Sequence, residues 1–176
     1  MRKKDANAVG EDLRKIRAFL DFAKTSVQNG VGLEQDFDGF YVAYDGFWTR
    51  YRIADDIVRC QLPEDTAATR QLPDCARDCW KLLMFRKESK DVEDSVNLLF
   101  PLLKNGEIKS FKHNADAALD PDNDYVIVVY TWGTEERDGL KAKLHSLGFT
   151  NIPYRRGCKM FESRFGHWKQ WFRDER

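Results

Sequence analysis

Residues 40–53, FYVAYDGFWTRYRI, decide the fold, because two runs of strand-forming residues flank a turn dipeptide. Phe40–Tyr44 and Phe47–Ile53 are rich in the aromatic and β-branched residues that favour strands. Asp45-Gly46 lies between them and is typical of a tight type I′ hairpin turn. The stretch therefore predicts an antiparallel hairpin.

The segments on either side of this hairpin alternate between helical and less regular patterns. Residues 11–28 have apolar residues at three- and four-residue spacing and a glycine at position 30, which predicts an amphipathic helix. We expect residues 1–10 to be flexible. Residues 57–62 are a candidate third strand, and the proline-containing stretch 63–74 is typical of a connection.

The next part of the chain predicts a strand, a helix and a second strand. Trp80–Phe85 is a short apolar strand, and residues 90–104 form an amphipathic helix. Pro101 removes a backbone donor, so we expect that helix to kink or end early. Glu107–His113 is the following strand, and its alternation puts Lys112 and His113 on opposite faces.

The last regular elements surround a continuous β-branched run. Tyr125–Thr131 follows an acidic loop at 115–124 and predicts a central strand that is buried on both faces. Thr134 is a candidate N-cap for a helix that Gly148 ends. Residues 149–154 are expected to return to the sheet.

Length and composition predict one domain over residues 1–176. The chain has 29 Lys+Arg, 29 Asp+Glu and 42% hydrophobic residues, enough to fill a core. It has neither an apolar run long enough for a bilayer span nor a signal peptide, so we expect no membrane contact and a cytoplasmic location. The element order predicts an α+β fold, with a mostly antiparallel sheet backed by helices on one face.

Sequence motifs of known chemistry are missing. The chain has no phosphate-binding loop, no nucleophile elbow and no zinc-protease motif. Cys75 and Cys79 form the only close cysteine pair and lack a second pair at zinc-site spacing. We therefore expect neither a metal nor a cofactor, and we assign no catalytic residue.

Basic and aromatic residues are concentrated at the C-terminus. Residues 154–176 contain seven bases and three acids, interleaved with six aromatic residues. Such a mixture can bind phosphates and stack bases of single-stranded nucleic acid. The helical spacing of Phe165, Trp168 and Phe172 instead favours packing on the sheet. Arg155, Arg156 and Lys159 lie in a short loop and are candidate phosphate ligands.

The chain from Trp80 onward resembles the basophilic-leukaemia-expressed protein family. The resemblance rests on the order and spacing of the strand 80–85, the helix 92–104, and the segments 109–113, 125–131 and 140–148. That family's fold is similar to the mRNA cap-binding translation initiation factor. The resemblance implies a curved antiparallel sheet with helices on its convex face.

The resemblance also implies candidate ligand residues. In the cap-binding factor two tryptophans sandwich a methylated guanine and basic residues hold its phosphates. Trp48 resembles the first stacking residue, and Lys112 lies where a phosphate-binding arginine would. Residues 63–74 contain no tryptophan to complete the sandwich. The wider group includes proteins described as phosphothreonine-lyase-like, whose chemistry needs the types of residue that Lys112, His113 and Arg155 supply.

Three functions remain open at this point. The first is a non-catalytic binding module for a phosphate-bearing ligand, such as a nucleotide or single-stranded RNA. The second is an enzyme acting on a phosphorylated group, and the third is a protein-interaction domain that uses the segment 161–172. In the first hypothesis the ligand residues come from the hairpin, from the strand 107–113 and from the basic loop. They are Trp48, Lys112, His113, Arg155, Arg156 and Lys159.

Overall fold

The computed structural model of the chain describes residues 3–27, 32–53, 79–115 and 124–156. In these ranges seven strands form one open sheet in which every neighbouring pair is antiparallel, in the order β1-β2-β3-β5-β6-β4-β7. The strands are β1 Leu33–Asp36, β2 Phe40–Tyr44, β3 Trp48–Ile53, β4 Cys79–Arg86, β5 Ser110–Asn114, β6 Tyr125–Trp132 and β7 Tyr154–Arg156. The α+β class is therefore confirmed.

The described helices are α1 Lys3–Ser26, α2 Ser89–Lys104 and α3 Thr134–Ser146. Their buried residues join one core cluster with one face of the sheet. On α2, Leu99, Phe100 and Leu103 are completely buried. Burying each such side chain contributes about 1.5–3 kcal/mol relative to exposure. None of the helices in the described ranges is long and apolar enough to cross a membrane.

The predicted hairpin is confirmed, but its turn lies one residue later than expected. Tyr44 pairs with Thr49, and the Asp45 N–H donates to the Trp48 carbonyl, so Gly46 and Phe47 form the loop. Gly46 has a φ of 87°, a value that favours glycine. A type I′ turn requires a positive φ at both loop residues. Phe47 has no positive φ, so the turn is not of the predicted type.

The helices differ from the sequence predictions at their ends. Helix α1 spans Lys3–Ser26, whereas the sequence predicts a helix over residues 11–28. Pro101 does not end α2 early, because a proline near the helix end costs one bond and the Asn105 N–H still donates to the Pro101 carbonyl. Thr134 starts α3 without capping it; Gly133 is at the cap position, with no side-chain hydrogen bond.

The sheet also differs in detail. Strand β1 is not predicted from the sequence, because it is only four residues long and three of them are exposed. The segment 149–154 stays outside the sheet except at its end, since Phe149 and Ile152 are buried in the core instead. Strand β6 is buried on both faces, as predicted, with Val129 in the core and Val128 on the other side. The candidate strand at 57–62 lies outside the described residues.

Candidate functional site

Strand β3 separates two groups of side chains by simple alternation. Thr49 and Tyr51 are buried on the side of the sheet that packs against the helices. Trp48 and Arg50 therefore lie on the opposite side. The neighbouring β5 continues the pattern, since Phe111 stacks on Tyr51. We call the side opposite the described helices the Trp48 face, defined by Trp48, Arg50 and Lys112.

Trp48 and Lys112 meet on this face. Trp48 pairs with Asn114 and Arg50 pairs with Lys112, so Lys112 is the diagonal neighbour of Trp48. A long side chain bridges such a diagonal. The Lys112 Nζ atom lies 3.8 Å from the centroid of the Trp48 ring, in a cation–π contact. Sequence reasoning named both residues, and the structure brings them together.

Arg50 is a third member of the Trp48 face, and sequence reasoning missed it. It lies directly opposite Lys112 in the strand register. Like charges in this position repel. The Asp45 carboxylate lies 2.6 Å from the Arg50 guanidinium and offsets part of that repulsion. The alternation of β3 was readable from the sequence, whereas the pairing of Arg50 with Lys112 was not.

The Asp45 carboxylate binds both the backbone of the hairpin turn and the side chain of Arg50. Its Oδ1 atom accepts hydrogen bonds from the backbone N–H groups of Phe47, at 2.9 Å, and Trp48, at 2.7 Å. Burial raises the pKa of this carboxyl, but the two backbone hydrogen bonds and Arg50 outweigh burial and hold the pKa below its ordinary value. Asp45 is therefore a fixed anion that orients Trp48 and Arg50.

A second ion pair lies next to the Trp48 face, between β3 and the edge strand β1. Arg52 donates to Glu34 on β1 at 2.6 Å, and its guanidinium lies 5.4 Å from the centroid of the Tyr41 ring. The pair joins the outermost strand to β3. Among the five charged side chains Asp45, Glu34, Arg50, Arg52 and Lys112, the cations exceed the carboxylates by one.

His113, a candidate ligand residue in the sequence, is not part of the Trp48 face. It lies on the side of the helices, where its ring centroid is 5.9 Å from that of Tyr51 and it lines a cavity. Its Nδ1 atom is 3.0 Å from the Asn114 carbonyl oxygen. The reason is the two-residue period of a strand, which separates consecutive side chains. Lys112 and His113 therefore do not converge on one reacting group.

Arg155 and Arg156, predicted to lie in a loop, belong to strand β7 instead and are not neighbours of Trp48 in the sheet. The backbones of Arg155 and Arg156 pair with β4 as part of β7. Strand β7 is separated from β5 by β6 and β4, so three strand spacings give about 14 Å between Lys112 and this edge. Lys159 and the segment 161–172 lie outside the described residues.

A second contact between cations and aromatic rings, also missed from the sequence, lies at the β4–β7 edge. The Arg137 guanidinium of α3 lies 4.4 Å from the ring centroids of both Trp80 and Tyr154. Asp138 accepts its Nε–H at 2.8 Å. The Arg137 side chain is only 12% exposed. This cluster joins α3 to the sheet, although Tyr154 itself is 44% exposed.

Among the described residues, no three His, Cys, Asp or Glu side chains group as a metal site would. Comparisons with protein-family models, with curated proteins and with solved structures give no match to this chain. The resemblance to the cap-binding fold therefore remains a prediction.

Proposed function

We propose that this protein is a non-catalytic binding module for a phosphate-bearing ligand, a nucleotide or single-stranded RNA, and that the ligand binds on the Trp48 face. The observation behind this proposal is the 3.8 Å contact between the Lys112 ammonium and the Trp48 ring. It puts a stacking surface and a cation within the span of one nucleotide.

Trp48 supplies the stacking surface. Its indole is half-buried, and its backbone is held by Asp45, so it is oriented before a ligand arrives. A base that stacks on the ring from the side of Lys112 displaces the ammonium, which then lies beside the phosphate of the same nucleotide. Stacking of one base on an aromatic side chain contributes about 1–3 kcal/mol.

Lys112 and Arg50 supply the phosphate contacts. They are directly opposite one another on β3 and β5. A phosphate between them replaces their mutual repulsion by two charge-assisted contacts. Asp45 competes with the phosphate for Arg50, which limits the affinity for small anions and makes the stacked base necessary.

The enzyme alternative lacks comparable support, because Lys112 and His113 lie on opposite sides of the sheet. The protein-interaction alternative depends on the segment 161–172, outside the described residues. The proposal extends to a cap-binding-like fold and to action in the cytoplasm, as the sequence analysis expects. It assigns no role to His113.

Binding of labelled single-stranded RNA and of a methylated-guanosine cap nucleotide, measured by fluorescence anisotropy across ionic strength, tests the proposal. We expect binding at low salt that weakens as salt rises. Trp48→Ala should weaken binding by about 1–3 kcal/mol, and Lys112→Met should lower the salt slope by about one phosphate contact.

Two matched controls make this experiment specific. Phe22→Ala removes an aromatic side chain that is 62% exposed on α1, and Lys87→Met removes a lysine whose side chain is 81% exposed. Both controls should bind like the wild type. Absence of binding at low salt, or equal losses in the control variants, would refute the proposal.

A further inference from the structure

A second contact between a cation and an aromatic ring lies next to the Trp48 face, on the same side of the sheet. Val42 of β2 is buried in the core, so Tyr41 lies on the opposite side. Arg52 is its partner in the strand register, and the Arg52 guanidinium is 5.4 Å from the centroid of the Tyr41 ring. Lys112 and Trp48 make the same kind of contact at the start of β3. This side of the sheet therefore has two aromatic surfaces, each with a cation against it.

The two aromatic surfaces are too far apart for one base to reach both. Trp48 and Arg52 are four residues apart on β3, and Tyr41 pairs with Arg52. At a rise of about 3.4 Å per residue, the Cα atoms of Trp48 and Tyr41 are about 14 Å apart. Neighbouring nucleotides of a stacked strand are about 3.4 Å apart along its axis. Two bases that lie on these two rings are therefore about four stacked steps apart, or fewer steps in an extended strand.

Two facing cations lie between the aromatic surfaces. Arg50 is two residues from Trp48 and two residues from Arg52. In the register it is opposite Lys112 on one side and Ala43 on the other. The Ala43 side chain is a single methyl group, so it leaves space beside the arginine for a ligand backbone. Along β3 the order is thus an aromatic ring, a pair of cations and a second aromatic ring, which suits two stacked bases with phosphate between them.

We propose that the ligand is a single-stranded RNA of about three to five nucleotides rather than a lone nucleotide, and that the strand lies along β3. This inference rests on the proposed function, whose stacking residue and phosphate contacts it keeps. One base stacks on Trp48, a later base stacks on Tyr41, and the phosphates between them lie against Arg50 and Lys112. The bases of a single strand can be splayed apart in this way.

Glu34 limits the affinity of the second aromatic surface. Its carboxylate accepts a hydrogen bond from the Arg52 guanidinium at 2.6 Å, and both side chains are partly exposed. A phosphate that approaches Arg52 is repelled by this carboxylate and competes with it for the same donors. Removal of the Glu34 charge should therefore strengthen the binding of a strand that reaches Tyr41, and have much less effect on a ligand confined to Trp48.

Uridine 5′-monophosphate and a strand of five uridine nucleotides test this inference, because they carry the same base and differ in reach. Binding is followed by chemical shifts in NMR spectra of the full-length protein, at about 0.1 M salt to screen distant charges. We expect both probes to shift the Trp48 signals, and the strand alone to shift the Tyr41 signals. The strand should also bind more tightly than the mononucleotide.

Variants of the second aromatic surface separate stacking from general charge. Tyr41→Leu removes the aromatic ring and should weaken the strand about fivefold to a hundredfold, whereas Tyr41→Phe keeps the ring and should retain the tighter binding. Glu34→Gln should tighten the strand about twofold to fivefold. Glu11→Gln, which removes the charge of a partly exposed glutamate on α1, should bind the strand like the wild type.

The outcomes distinguish this inference from the proposed function. If both probes bind at Trp48 with equal affinity, or if Tyr41→Leu weakens the two probes equally or not at all, the inference is overturned while the proposed function stands. If neither probe binds, both are refuted. The Tyr41 shift in the wild type decides the question even if Tyr41→Leu does not fold.

Discussion

Lys112 and His113 are consecutive residues whose side chains lie on opposite sides of the sheet. The Lys112 ammonium lies against the Trp48 ring, whereas the His113 ring lies near Tyr51 and lines the cavity under the helices. One short strand therefore contributes to two separate sites. The proposed ligand site is on the Trp48 face, whereas the cavity under the helices is lined by Thr49, Tyr51 and His113.

Asp45→Ala should destabilise the protein by about 1–2 kcal/mol, because two backbone N–H groups of the turn lose their acceptor. Urea unfolding at neutral pH measures this change. Asp45→Asn keeps an oxygen acceptor and should lose less. Equal stability of the alanine variant and the wild type would contradict the role of Asp45 in the turn.

Asp45 should also make stability depend on acid pH. Its pKa is lower in the folded than in the unfolded protein, so its contribution is present above the ordinary value of 3.8 and is lost as the pH falls through the folded pKa. We expect the wild type to lose more stability than Asp45→Asn between about pH 5 and pH 2. Parallel pH profiles for the two proteins would contradict this assignment.

Tyr51 should make stability depend on alkaline pH, with the opposite sign. Its pKa is higher in the folded than in the unfolded protein, where it is near 10.0, so its contribution is present below that value and is lost as the pH rises toward the folded pKa. The wild type should lose stability relative to Tyr51→Phe by up to about 1.4 kcal/mol per pH unit above pH 10. Denaturant unfolding at pH values on either side of 10 measures the difference, which should vanish below pH 9 or so.

Arg137→Met should lower the unfolding temperature, because the cation that joins Trp80 to Tyr154 is lost. Arg137→Lys keeps the charge and should retain part of the stability. Near-ultraviolet circular dichroism should change in the methionine variant as the Trp80 environment loosens. An unchanged melting curve and spectrum would show that the cluster does not fix α3.

Inorganic pyrophosphate should raise the unfolding temperature of the wild type, since an anion that binds only the folded Trp48 face stabilises it. The increase should be smaller in Lys112→Met and in Arg50→Met, which each lose one of the facing cations. Lys87→Met provides the control for a general loss of charge. If all four proteins respond equally, the anion binds elsewhere.

The hairpin and the alternation of β5 could be predicted because they depend on local sequence. The residue types in FYVAYDGFWTRYRI predicted the hairpin that contains Trp48. The two-residue period of β5 predicted that Lys112 and His113 lie on opposite faces. The interior position of β6, with a strand on either side, was equally readable from its continuous β-branched run.

Features that depend on which strands become neighbours could not be predicted. The pairing of Arg50 with Lys112, and thus the third member of the site, follows from the β3–β5 register. The Arg137 cluster requires α3 to lie over β4, and Tyr51 and His113 line one cavity only after α1 and α2 dock on the sheet. The sequence predicts that Arg155 and Arg156 share one ligand site with Lys112, but the strand order puts β7 at the far edge of the sheet.

The most direct test of the central claim is an NMR titration of the labelled protein with the methylated-guanosine cap nucleotide. It compares the Trp48 indole N–H and the Lys112 side chain with the His113 ring. We predict that the Trp48 and Lys112 signals shift together with one affinity while the His113 signals stay in place. Shifts at His113 and Tyr51 without any at Trp48 would contradict the account, because the nucleotide would then bind under the helices.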